Sequence, residues 1–174
     1  MTDKNKKIFI EADDDDMFYE EVEQAGDKVR MVSFACAGEN YWVEITDIKE
    51  LIIPGQITKV PNTPDFIAGV TNLRGEVISL IDFKKLSGTF SGDRTSHGGL
   101  CLITDITGEN VGILIEKMEG TIEVNKEIIQ PPLNSLKKSD GFYIKGQAQV
   151  DGKIHLILDI EKILNSREIN ELRR

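Results

Sequence analysis

An internal repeat constrains the fold of this chain more than any other feature of its sequence. Residues 62–82 read NTPDFIAGVTNLRGEVISLID, and two pieces of this stretch recur within residues 138–159. FIAG returns as YIKG and GEVISLID returns as GKIHLILD, both at an offset of 77 residues. A segment made twice at a fixed spacing predicts a fold that is built from two similar units.

The repeat fails at the turn that joins its two pieces. Arg74 stands before Gly75, whereas Asp151 stands before Gly152. Asp-Gly between two alternating runs is a strong signal for a two-residue hairpin turn, and Gly75 suits a turn that needs positive φ. A scaffold common to both units therefore explains the two glycines but leaves Arg74 without a backbone role.

Arg74 has a candidate partner in Glu50, which lies beside the apolar run at 51–53. The planar guanidinium of an arginine can bind a carboxylate through two parallel hydrogen bonds. An exposed arginine and a separate, solvated glutamate are the simpler alternative.

Short strand-like runs separated by turns predict an all-β fold. Residues 29–35 and 41–45 flank a Gly-Glu-Asn turn, and residues 100–103 and 111–115 flank a second one. Both pairs are typical of β-hairpins. Strands this short and numerous favour two small barrels, and strands can be exchanged between the two halves of the sequence.

Two helices are predicted to follow the repeated strands, at 83–86 and at 159–172 with a break near Asn165. Asp82 and Asp159 precede them at equivalent positions, where a carboxylate is suited to capping a helix. The alternative is a small hydrolase that uses Asp82 and Asp159 as paired carboxylates, which requires the two side chains to converge in one pocket.

A third short helix is predicted over residues 64–68. Thr63 would cap its start and Pro64 would occupy its first turn. Gly69 would end it in a left-handed conformation.

Other residues that could carry chemistry are few. His97 falls in the Ser/Gly-rich stretch 87–99, and His155 falls in a strand at the position taken to match Ser79, which predicts a solvent-facing side chain. The sequence shows no serine elbow, phosphate-binding glycine loop or His/Cys metal cluster. We therefore expect no enzyme, no cofactor and no metal.

Charge divides the chain into an acidic tail and a domain. The net charge is −9, of which residues 1–28 contribute −6. Residues 1–27 are predicted to be a flexible tail and residues 28–174 a domain. The run Asp13–Asp16 lacks the spacing of a calcium loop and is expected to be solvated. The mildly acidic domain argues against nucleic acid and anionic lipid as partners.

The remaining sequence features bear on the compartment. No apolar run approaches the ~20 residues that span a bilayer, and the first residues turn acidic where a signal peptide would be apolar. Cys36 and Cys101 lie in apolar runs and are expected to be buried thiols. A cytoplasmic protein without membrane insertion is the prediction.

These motifs together resemble the CheW family of bacterial chemotaxis adaptors. The family's Gly-x-x-x-Leu-Arg-Gly turn is matched at 69–75, its Pro-x-x-Pro-x-Phe/Tyr-x-x-Gly run at 61–69, and its Val/Ile-x-Glu-Ile/Leu element at 48–51. Pieces reading Tyr-x-x-Gly, Leu-Ile-Leu-Asp and Glu-Lys-Ile-Leu also match, so the resemblance covers about 29–172.

The resemblance implies an all-β fold of two five-stranded SH3-like barrels packed together, with short helices and a C-terminal helix. It implies a non-catalytic adaptor that couples methyl-accepting chemoreceptors to the histidine kinase CheA. One barrel would pair with the kinase's regulatory domain, and a groove between the barrels would take a receptor tip helix. Such a protein is monomeric in isolation and is recruited to membrane-associated receptor arrays. The same role in another chemosensory pathway, such as one for pili or gliding, stays open.

The family's partner-binding residues carry over to six positions of this sequence. Glu50 and Arg74 match the charged pair that is important for coupling, and the apolar contributors to partner surfaces match Ile48, Gly69, Val70 and Leu100.

The chain departs from the family pattern at three places. Ser79 stands where the family often has Pro, Phe83-Lys84 where it has Leu-Arg, and Ile115-Glu116 where it has Val-Asp. These departures leave the fold expectation intact and bear on the choice of partner.

Overall fold

The computed structural model describes residues 27–88, 99–106, 108–133, 143–166 and 169. Within these ranges the chain forms ten strands, two short α-helices and two 3-10 turns. The strands are β1 (Lys28–Cys36), β2 (Glu39–Glu44), β3 (Glu50–Ile52), β4 (Ile67–Leu73), β5 (Glu76–Asp82), β6 (Leu100–Ile106), β7 (Glu109–Ile115), β8 (Lys117–Asn125), β9 (Ile144–Val150) and β10 (Lys153–Leu158). The helices are α1 (Phe83–Leu86) and α2 (Ile160–Leu164), and the 3-10 turns are Ile45–Asp47 and Lys126–Ile128.

The strands form two five-stranded sheets. The first has the order β8-β1-β2-β10-β9 and the second has the order β3-β6-β7-β5-β4. Each sheet thus combines strands from both halves of the sequence. One pair of strands in each sheet runs parallel, β2 with β10 in the first sheet and β5 with β7 in the second. We call these sheets the first and the second barrel.

Each barrel is joined at its seam by one isolated bridge. In the second barrel the chain leaving edge strand β3 returns at Thr58 to pair with Val70 of the opposite edge strand β4, through two backbone hydrogen bonds of 2.8 Å. In the first barrel Gln130 and Gln147 make the equivalent bridge, also with two bonds of 2.8 Å. The prediction of two five-stranded barrels is confirmed.

Three apolar clusters form the core of the described ranges. Residues of the first barrel, among them Met31, Trp42 and Ile157, form one cluster, and residues of the second barrel, among them Ile78 and Leu80, form another. The largest cluster takes side chains from both barrels and from both helices. Its members include Phe34, Tyr41, Val43, Ile81, Phe83, Leu102, Ile113, Ile115, Leu158, Ile160 and Ile163.

The predicted helix caps are present in both barrels. The Asp82 carboxylate accepts a hydrogen bond from the Lys85 amide at 3.3 Å, and the Asp159 carboxylate accepts one from the Lys162 amide at 2.9 Å. The second helix ends at Leu164 with Asn165 as its C-terminal cap, which confirms the break there. The rest of the predicted helix, apart from Ser166 and Ile169, lies outside the described residues.

The helix predicted over 64–68 is wrong. Residues 61–66 form turns and irregular backbone, and β4 begins at Ile67. Gly69 lies at a bulge of β4, where the register shifts, with φ of 140°. A Cβ atom at Gly69 would lie 2.3 Å from the carbonyl oxygen of Thr58. The glycine is therefore required by the close approach of the seam, which sequence-local patterns do not show.

The prediction that His155 faces solvent is also wrong. Its side chain is buried, and its ring stacks on Trp42 with 4.3 Å between centroids and 19° between planes. The 77-residue offset pairs His155 with Ile78, which is buried, and not with Ser79, which is exposed. A one-residue slip in a strand moves every side chain to the opposite face, so this misalignment reversed the expected orientation.

The remaining expectations concern the two cysteines, the acidic tail and His97. Cys36 and Cys101 are buried free thiols, and burial raises the pKa of each to about 12. The acidic tail, apart from Asp27, and His97 both lie outside the described residues. Asp27 pairs with Lys126 at 2.7 Å at the start of β1.

Replacing Gly69 by alanine is expected to destabilise the second barrel. The strained φ and the clash with Thr58 should together lower the unfolding free energy by about 2 kcal/mol or more. Gly146 is the matched control, because its Cβ would lie 3.1 Å from the Gln130 carbonyl and should cost about 1 kcal/mol or less. Urea unfolding measures both variants, and equal losses would contradict the seam as the reason for Gly69.

Stability is expected to depend on pH through His155. Burial, opposed by Glu119 and Asp151 and assisted by Lys153, lowers the pKa of His155 from its ordinary value of 6.5. The folded state thus favours neutral imidazole, so the contribution is complete above pH 6.5 and is lost as pH falls from 6.5 through the folded pKa. His155→Phe, which retains an aromatic ring beside Trp42, should show a smaller loss of unfolding free energy between pH 7.5 and 5 by urea titration. An identical pH dependence in the two proteins would exclude His155 as its source.

Candidate functional site

The most informative polar contact on the second barrel joins β3 to the β4–β5 turn. Arg74 donates one hydrogen bond to each carboxylate oxygen of Glu50, at 3.2 Å from Nη1 to Oε1 and 2.8 Å from Nη2 to Oε2. Two parallel bonds are the geometry that suits a guanidinium to a carboxylate. The two residues are 24 positions apart in sequence, and they meet because barrel closure brings the two edge strands β3 and β4 close together.

The backbone at Arg74 adopts a conformation that disfavours arginine. Its φ is 54° and that of Gly75 is 92°, so both central residues of the turn have positive φ. Asp151 and Gly152 repeat this turn in the first barrel, with φ of 51° and 74°. Aspartate and asparagine tolerate the left-handed region better than other residues with a side chain. The fold thus prefers a short polar residue at position 74 and carries an arginine instead.

The Arg74 side chain is largely open to solvent. It is 77% exposed, whereas Glu50 is 27% exposed, so the glutamate is the anchored partner. Apolar side chains follow both residues closely along the chain: Leu51 and Ile53 are exposed, the latter by 79%, and Val77 is exposed by 68%. We call Glu50, Leu51, Ile53, Arg74 and Val77 the Arg74 rim.

A network of polar side chains links residues next to this rim to strands β6 and β7. The sequence patterns do not indicate it. Lys49 pairs with Asp105 at 2.6 Å and donates to the Asn110 side chain at 2.8 Å. Asn110 in turn donates to Glu76 at 2.7 Å. The hydrogen bond from Lys49 lowers the pKa of Asp105. Lys49 and Glu76 are the neighbours of Glu50 and Gly75, so the network supports both ends of the rim.

The other residues predicted to meet partners do not lie in this charged contact. Gly69 is buried in β4, and Val70 follows it, half-buried, at the seam opposite Thr58. Ile48 and Leu100 are half-buried and pack against the large central cluster. The structure therefore brings together Glu50 and Arg74, and gives Gly69 a backbone role.

Two of the departures from the family pattern meet in space. Lys84 donates to the Glu116 carboxylate at 2.5 Å, and the other carboxylate oxygen accepts from the Ala37 amide at 2.9 Å. The hydrogen bond from Lys84 lowers the pKa of Glu116 and raises that of Lys84. This contact joins α1 to the β1–β2 turn, which belongs to the other barrel.

No catalytic set converges among the described residues. Asp82 caps α1 at the end of β5 in the second barrel, and Asp159 caps α2 at the end of β10 in the first barrel. The hydrolase alternative, which needs both carboxylates in one pocket, is not favoured. The described ranges also hold no group of three or more His, Cys, Asp or Glu side chains arranged for a metal ion. Fold and site together define a double-barrel binding protein.

Comparison with known proteins assigns this double barrel to a family. The family described as "CheW-like domain" matches residues 30–168. The chain belongs to the CheW-like family, and it is a non-catalytic chemotaxis adaptor. None of the described helices has the length and apolar character needed to cross a membrane.

Individual relatives cover most of the chain. A chemotaxis protein CheW from Klebsiella aerogenes is 28% identical over 78% of this chain and 81% of its own length. One from Treponema pallidum is 26% identical over 84% of this chain and 88% of its own length. The crystal structure of the scaffolding protein TtCheW from Thermoanaerobacter tengcongensis superposes with a TM-score of 0.70 at 29% identity, covering 80% of this chain and 94% of that one.

Arg74→Asn is expected to leave the protein as stable as the parent or to raise its unfolding free energy by about 0.5 kcal/mol. An exposed ion pair contributes about 0–1 kcal/mol, and asparagine relieves the left-handed strain. Asp151→Arg is the matched control: it places arginine in the equivalent turn and should lower stability by about 1 kcal/mol. Chemical unfolding of both variants measures these effects. A large loss in Arg74→Asn would show that Arg74 serves folding.

Proposed function

We propose that this adaptor couples chemoreceptors to the histidine kinase CheA and that the Arg74 rim is one of its partner-binding surfaces. The observation that carries the proposal is the arginine in a left-handed turn. The residue costs folding free energy at this position, and its head group is exposed. A side chain retained against the preference of its backbone is best explained by a contact outside the chain.

The composition of the rim fits a protein partner. It combines one arginine with three exposed aliphatic side chains. Arginine is enriched among the residues that dominate protein interfaces, where apolar neighbours exclude water from the charged contact. Glu50 fixes the direction of the guanidinium before binding, so less side-chain entropy is lost on association.

The two partners expected of this adaptor differ in the surface that they present. The receptor offers helices of its cytoplasmic tip, and an amphipathic helix binds an apolar groove. The kinase offers a regulatory domain of related fold. Ile48 and Leu100, beside the central cluster between the barrels, are proposed to contribute to the helix surface, and Gly69 and Val70 support the seam next to the rim. The adaptor would thereby act in the cytoplasm, at membrane-associated receptor arrays.

Arg74→Asn is expected to weaken binding to the kinase or receptor fragment by about tenfold. The affinity would fall because asparagine adopts the left-handed backbone of the turn, but its side chain is too short to reach the partner. Pull-down and titration with purified kinase regulatory domain and receptor tip fragments measure the affinity, beside kinase activation in the reconstituted complex.

Arg74→Lys is the control for charge alone. Lysine keeps the positive charge but lacks the planar fork, so it should recover only part of the affinity. Full binding and full kinase activation by Arg74→Asn would contradict the proposed surface, provided that the variant is folded.

A further inference from the structure

The two barrels share an apolar cluster, and the aromatic side chains at its centre come from both of them. Phe83 of α1 packs edge-to-face on Phe34 and Tyr41 of the first barrel, with centroids at 5.9 and 4.9 Å. Phe34 and Tyr41 stack on each other at 5.5 Å. Apolar burial is strong but largely non-directional, so directional polar contacts between the barrels add to the definition of the angle between them.

The Glu116 carboxylate supplies directional contacts between the barrels. It lies in the one-residue connection between β7 of the second barrel and β8 of the first. One of its oxygens accepts from Lys84, which follows Phe83 on α1, at 2.5 Å. The other accepts from the Ala37 amide in the β1–β2 turn at 2.9 Å. A single side chain thus ties the helix of one barrel to a turn of the other.

The contact is partly shielded and meets a strained turn. Lys84 is 18% exposed and Glu116 is 33% exposed, which reduces in part the screening that weakens surface ion pairs. Ala37 has φ of 53° although it is not glycine, and its amide is satisfied by Glu116 from 79 residues away. The turn conformation and the ion pair therefore support each other.

Duplication of the scaffold does not account for this pair. The 77-residue offset places Glu161 at the position equivalent to Lys84, and an acidic side chain there cannot bind a carboxylate in the same way. Like Arg74, Lys84 is a basic residue that occurs in one copy of the repeat only.

We propose that Lys84 and Glu116 are a positioning pair, which sets the orientation of the two barrels that kinase coupling requires without contacting either partner. This inference rests on the proposed function. It predicts that loss of the pair widens the range of angles between the barrels and weakens coupling, although the Arg74 rim stays intact.

The test measures orientation and coupling separately. Spin labels at Ser79→Cys on the second barrel and Thr121→Cys on the first report the inter-barrel distance by pulsed electron double resonance. Both sites are exposed, whereas native Cys36 and Cys101 are buried. Lys84→Met removes the charge but keeps the aliphatic stem, and Lys85→Met on the same helix is the matched control.

The parent protein and Lys85→Met should give one narrow distance distribution, and Lys84→Met a broader or shifted one. Kinase activation with Lys84→Met should fall by about fivefold, and Lys84→Arg should restore both readouts. Arg74→Asn should lose coupling but keep the narrow distribution, which separates failure of the rim from failure of the positioning pair. An unchanged distribution in Lys84→Met, or a broadened one with full coupling, would overturn the proposal.

Discussion

The structure depends on strands that bury both of their faces. In β1, Met31 points into the first barrel's own cluster while Val32 and Phe34 enter the cluster shared by both barrels. In β6, Cys101 and Ile103 fill the second barrel while Leu102 enters the shared cluster. Alternation along a strand sends neighbours to opposite faces, so these strands carry runs of consecutive apolar residues where both faces are buried. Such strands leave little room for functional side chains, which are therefore found in turns and at the barrel rims.

The Arg74 rim is an example of polar side chains placed in a turn and at a barrel rim, outside the buried strands. The same turn is made twice, and the first barrel uses Asp151, a residue that suits the left-handed backbone. The second barrel uses Arg74 and holds it with Glu50, and exposed aliphatic side chains follow both residues along the chain. Folding alone would favour the short polar residue in both copies. The difference between two turns of the same geometry therefore supports the proposal that Arg74 serves a partner and not the fold.

How far the sequence predicts this structure depends on the range of the interaction concerned. The hairpins, the Asp82 and Asp159 caps and the Asp151-Gly152 turn are local patterns, and their predictions are confirmed. Gly69 was misassigned because the atom that forbids a side chain there, the Thr58 carbonyl, approaches through barrel closure. His155 was misassigned because the repeat was misaligned by one residue. The Lys84–Glu116 contact spans 32 residues and two barrels, and no local pattern indicates it.

The central claim is that the Glu50–Arg74 pair exists for binding rather than for folding. A double-mutant cycle with Glu50→Gln and Arg74→Asn, measured once in unfolding free energy and once in affinity for kinase and receptor fragments, tests it directly. The account predicts a coupling energy below about 1 kcal/mol in unfolding and a larger one in binding to at least one partner. A large coupling energy in unfolding, with none in binding to either partner, would contradict it.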